Sequence, residues 1–187
     1  MKKFCFIILL CSYQLLAQET TFKTNYSIEL DPIAYVLKGY SFHGIIQPSS
    51  HISFDLGIFG IEEPEGFSGN DGFKIRQNGF GIKANYHFLE GTTRGLYTGL
   101  NIGYATVDAT HNTSFAVADG NNITIGAQMG YRFFFHKSQE GIQKGLYLVP
   151  WFSYGYVVHT KAVKFTNLQY DNSKWLFFPT IHIGYRF

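Results

Sequence analysis

Three groups of residues have types and spacings suited to chemistry. His51-Ile52-Ser53, with Asp55 two residues further on the same strand face as Ser53, supplies the parts of a hydrolase site. Such a site needs the imidazole within reach of the hydroxyl and an acid to orient it. Seven histidines, His43, His51, His87, His111, His136, His159 and His182, are dispersed without HxH or HxxxH spacing. A metal centre needs converging ligands, so no metal or other cofactor is expected, and His87 and His182 read as interior hydrogen-bonding groups. The stretch EEPEGFSGNDGF gathers Glu62, Glu63, Glu65, Asn70 and Asp71. It lacks the regular ligand spacing of a calcium loop and reads as a solvated loop turning at Asp71-Gly72. Whether any of these groups works depends on the elements that hold it.

The N-terminus bears on where those elements fold. MKKFCFIILLCSYQLLAQ places Lys2 and Lys3 before an apolar run and ends on small and polar residues, which reads as a signal peptide over 1–18 with a single domain over 19–187. Cys5 and Cys11 are the two cysteines of the chain and both fall inside that segment. The domain is therefore expected to have neither disulfide nor thiolate metal site. Removing Lys2 and Lys3 from 15 basic residues leaves 13, equal to the 13 acidic ones. A neutral chain lacks the clustered positive field of a nucleic-acid surface. Aromatic residues at 18% outnumber charged ones at 15%, whereas charge in soluble domains is usually about a quarter. Something other than water is expected to cover many of those rings.

Period-two alternation supplies the cover. Phe80, Ile82, Ala84, Tyr86 and Phe88 share one face against Gly81, Lys83, Asn85 and His87. The same split separates Ile123, Ile125, Ala127, Met129, Tyr131 and Phe133 from Thr124, Gly126, Gln128, Gly130 and Arg132. Eight strands are expected, over roughly 25–36, 39–46, 50–61, 74–89, 95–108, 121–135, 145–159 and 175–187. Short turns fall at one end and longer polar loops, among them 109–121, at the other. Pro32 interrupts the first strand, where a short helical turn is possible. Gly-Tyr-Arg-Phe occurs at 130–133 and again as the last four residues, and Gly-Leu-Tyr occurs at 95–97 and 145–147. These read as copies of one boundary mark at the short-turn end.

The alternation predicts an all-β, eight-stranded antiparallel up-and-down transmembrane barrel. Its apolar faces hold no charge, as a lipid-facing surface requires, since a midplane Lys or Arg there costs ~2–4 kcal/mol. The opposite faces hold Glu29, Asp31, Asp55, Lys83, Arg132 and Arg186, with His87, Gln128 and His182. These nine residues are expected to meet inside as an ion-pair and hydrogen-bond network.

With a signal-like start, alternating strands and a terminal strand carrying Ile181, Ile183, Tyr185 and Phe187 at every second position, the chain resembles the small eight-stranded outer-membrane barrels of Gram-negative bacteria, such as the OmpA transmembrane domain and OmpW, and also barrels of Bacteroidota. The resemblance implies residence in the outer membrane and a C-terminal signal, Ile181 to Phe187, read by the insertion machinery. It also implies lipopolysaccharide as a neighbour, with Lys74 and Arg76 placed to meet its phosphates. Some barrels of this kind carry a Ser-His-acid lipid A deacylase site, which the His51 motif imitates. That motif sits at a periplasmic turn, away from the outer leaflet, so no enzyme is expected. The leading functional expectation is a non-enzymatic barrel that supports the envelope or presents loops to a partner. A narrow conduit for small or apolar molecules is the alternative, and a lipid A-modifying enzyme the lower one.

Overall fold

The computed structural model describes residues 22–64, 66, 67, 69–88, 94–135 and 143–187. The segment read as a signal, Glu65, His136 and the turns at 89–93 and 136–142 lie outside the described residues. Eight strands follow in order: β1 (Asn25–Leu30), β2 (Tyr40–Gln47), β3 (Ile52–Glu62), β4 (Phe73–His87), β5 (Gly95–His111), β6 (Val117–Phe134), β7 (Gly145–Lys161) and β8 (Trp175–Arg186). Each pairs antiparallel with its neighbours in sequence, and β1 pairs with β8 to close the barrel. Closure removes the unpaired edges an open sheet would present.

The first strand ends six residues earlier than the alternation implies. Asp31 accepts a hydrogen bond from the Ile33 amide at 2.8 Å, and Pro32 opens the short helix α1 (Pro32–Val36). An N-cap aspartate followed by proline favours helix over strand. The segment 109–121 is also mostly strand, because β5 continues to His111 and β6 begins at Val117. Here Asp108 lies opposite Asp119, and Lys161 Nζ reaches Asp119 at 2.5 Å. Where polar side chains occupy both faces, the contrast on which alternation depends disappears.

The two copies of Gly-Tyr-Arg-Phe occupy equivalent places. In β5–β6, Gly95 is opposite Arg132 and Tyr97 opposite Gly130; in β7–β8, Gly145 is opposite Arg186 and Tyr147 opposite Gly184. A Cβ at Gly130 would enter the Tyr97 ring, and one at Gly184 the Tyr147 ring. Both tyrosines are buried, so each glycine makes room for a ring turned into the lumen. The flanking aromatics point outward and pack together, Tyr131 on Phe133 and Tyr185 on Phe187.

Inside and outside are inverted relative to a water-soluble domain. Leu100 is 69% exposed and Leu56 60%, whereas Glu29 is 3% and Arg132 2%. At the long-loop end Phe73, Ile75, Val107, Ala109 and Val163 form an apolar cluster, joined by Phe165, Leu168 and Tyr170 from the β7–β8 connection. Asn70 fastens this cap, donating to the Asp171 carbonyl at 3.0 Å and accepting from the Asp171 amide at 2.7 Å.

Candidate functional site

The ring brings strands far apart in sequence face to face across its lumen, and the inward side chains meet there. Glu29 on β1 is the hub. Its carboxylate accepts from Arg132 Nη2 at 3.2 Å, from the Tyr147 hydroxyl at 2.9 Å and from His182 Nδ1 at 2.9 Å. Asp55 on β3 meets Lys83 Nζ at 3.2 Å and His43 Nδ1 at 2.8 Å. The His43 and His182 rings, 4.7 Å apart, join these two groups into one layer. Arg132 also lies over the Tyr147 ring at 5.0 Å, and Lys83 over Trp151 at 4.0 Å.

Other expected members sit apart from that layer. Among the described residues Arg186 meets no carboxylate; it donates to Ser27 Oγ at 3.2 Å and Gln47 Oε1 at 3.1 Å and lies over Phe134. Its pairing with an acid is corrected for that reason: neutral acceptors on β1 and β2 reach its level first. Among the described residues Asp31 pairs with no cation, because its oxygens cap α1 and accept from Thr180 Oγ1 at 2.7 Å. Gln128 hydrogen-bonds Asn85 across the lumen. His43, Gln47, Asn85, Tyr147 and Trp151 were absent from the expected network. The parity that places Gly145 inward also turns Tyr147, Val149 and Trp151 inward, but an aromatic residue reads more readily as outward.

The hydrolase parts do not assemble as the sequence suggests. Ser53 Oγ lies 2.9 Å from Nε2 of His87, not from His51, and both residues are buried. The His51 ring stacks on Tyr86 and contacts the His87 carbonyl through Nδ1 at 2.8 Å. Asp55 is held by His43 and Lys83 instead. In the acidic loop, Asn70 is committed to Asp171, and among the described residues no cluster of acids and histidines is arranged to hold a metal ion. Lys74 is exposed and 3.1 Å from Glu62, while Arg76 projects outward one rung below.

Between the ionic layer and the apolar cap lies a cavity of about 230 Å³. Phe59, Ile61, Val107, Val157 and Phe178 contribute to its apolar wall, and His43, Lys83 and His182 give it a polar side. Tyr170 and Asp171 line it from the β7–β8 connection. Burial pushes the Tyr170 phenol up to about 12, with the nearby Glu63 and Asp171 charges acting in the same direction.

No protein-family model matches the chain, and no curated protein sequence does. Among solved structures, the N-terminal β-barrel domain of Pseudomonas aeruginosa OprF is similar at 13% identity, over 88% of this chain and 96% of that one, with a TM-score of 0.44. Neisserial surface protein A (NspA) is similar at 12% identity, over 87% of this chain and 94% of that one, with a TM-score of 0.46. The closed ring of eight strands rests on this chain's own pairing.

Proposed function

We infer that the chain is a non-enzymatic outer-membrane barrel, closed to ions, that supports the envelope or presents its long-loop end to a partner. The observation that carries this reading is an uncharged apolar belt around the middle of the exterior, wrapped around a charged, buried interior. In water that arrangement would expose rings and bury ions; in a bilayer it places both where they are stable. The ionic layer supports closure, since side chains just fill an eight-stranded interior. The sealed Ser53–His87 contact gives a lipid chain no access to the hydroxyl. Lys74 and Arg76, outside the apolar belt, suit generic contact with lipopolysaccharide phosphates. In planar bilayers the purified protein is expected to give no steady ionic conductance. Reproducible large channels would overturn closure.

The row Ile181, Ile183, Tyr185 and Phe187 fits an assembly signal for the insertion machinery. Phe187 donates its amide to the Tyr26 carbonyl at 3.1 Å, so the last residue helps join β8 to β1. Deleting Phe187 is expected to cause periplasmic accumulation and degradation. Phe133→Leu is expected to assemble normally, because Leu still fills the apolar belt and loses only the ring's interfacial preference. Immunoblots of membrane fractions, with heat-modifiable migration as the sign of folding, compare them. Equal outer-membrane levels would leave the terminal phrase with no special role.

A further inference from the structure

We propose that the cavity between the ionic layer and the cap is a binding site for a small apolar molecule that carries a hydrogen-bond acceptor and no full negative charge. Three observations converge on it. The first is its shape. Gly81 and Gly103 are opposite each other in the β4–β5 ladder, and both line the cavity. A Cβ at either would come no closer than 3.4 Å to any neighbour. At Gly57, Gly130 and Gly184, by contrast, a Cβ would enter a neighbouring ring, so those glycines are required by packing. The pair at 81 and 103 is not required in that way, and what it provides is open space in a lumen otherwise filled.

The second observation is unspent hydrogen-bonding capacity. Among the described residues, Asn101 Nδ2 and Trp151 Nε1 are buried donors without a hydrogen-bond partner; both residues line the cavity, and each nitrogen is covered by its neighbours, so that a small turn of the side chain is needed to present it to an occupant. A buried donor left unpaired is costly, and each instance in a folded protein calls for a partner. An indole N–H can only donate, so the missing partner is an acceptor. The third is charge. The lining carries Asp31 and Asp171, and its two lysines, Lys83 and Lys161, are already paired with Asp55 and Asp119. An anion would meet a net negative surround, whereas a ketone, ester or ring nitrogen would not. As to size, an apolar cavity of ~150 Å³ accepts benzene, so this one accepts a somewhat larger molecule, on the order of ten non-hydrogen atoms.

The two tryptophans of the chain make the test selective. Trp151 lies in the lumen; Trp175 also borders the cavity, but its ring is 56% exposed and packs on the outward-facing Tyr154 and Tyr156. In lipid nanodiscs, the indole N–H resonances of the ¹⁵N-labelled protein are followed while 2-nonanone, nonane or nonanoate is added. Lumen binding is expected to shift Trp151 saturably with 2-nonanone while Trp175 hardly moves. Nonane is expected to bind at least about fivefold more weakly, the loss that one missing hydrogen bond of about 1 kcal/mol implies, and nonanoate likewise because its charge meets the negative surround. Gly103→Leu fills the space and is expected to abolish the shift; Gly81→Leu serves if that variant does not fold. Partition into lipid alone would move Trp175 as much as Trp151. That result, the absence of a saturable Trp151 shift, equal binding of all three probes, or an undiminished shift in a folded cavity-filling variant would each overturn the proposal. Conductance through the barrel tests closure separately, so the two readings fail independently.

Discussion

Replacing Glu29 with methionine is expected to destabilise the barrel by about 3–5 kcal/mol, the cost of leaving a buried charge without its partner. The stranded group is Arg132, 2% exposed, whose Nε and Nη1 already have no hydrogen-bond partner among the described residues. Its one carboxylate contact among those residues runs through Nη2 to Glu29. The reciprocal change is milder. Arg132→Met leaves Glu29 accepting from Tyr147 and His182, so the expected loss is about 1–3 kcal/mol. The double variant is expected to recover part of the Glu29→Met loss, since no unpaired guanidinium remains. Urea-driven unfolding in lipid vesicles measures all three. If Glu29→Met unfolds like the parent, the layer is hydrated and the lumen is not closed by it.

Ile102→Arg is expected to cost about 2–4 kcal/mol in the same assay, because it places a guanidinium at the centre of the outer apolar belt. Ile102 lies opposite Ile82 on β4 and Ile125 on β6, and all three face outward. Thr106→Arg, four residues along the same strand and face, has Asn78 and Asn121 opposite it instead. Its expected cost is about 0–1 kcal/mol, the value near an interface. The gradient between the two positions is the diagnostic. Equal costs would mean that no bilayer surrounds the belt.

The sequence made the faces legible and left the partners across the lumen hidden. Ile82, Tyr86, Ile125 and Met129 alternate cleanly because one neighbour of each strand face is apolar and the other polar, and they lie outward in the structure. Glu29 and Arg132, however, are 103 residues apart and belong to strands that do not pair. Their meeting depends on barrel stagger, which one strand's pattern does not encode. Asp31 is buried as expected, but its partners are the Ile33 amide of α1 and Thr180 on β8 in place of a cation, because Asp-Pro is itself a helix-start signal. The cavity was illegible for another reason. It is made by what Gly81 and Gly103 lack, and a glycine required by packing looks the same in sequence as one that leaves space.

The matching registers of β5–β6 and β7–β8 make this wall extensible. Each hairpin turns one tyrosine and one arginine inward across from glycines, and two aromatic residues outward. The unit therefore brings both its lipid facing and filling for the lumen. A barrel grown by copying such a hairpin would gain filling in proportion to its strand number while its cross-section rose as the square, so the plug would thin with each copy and further copies would open a pore.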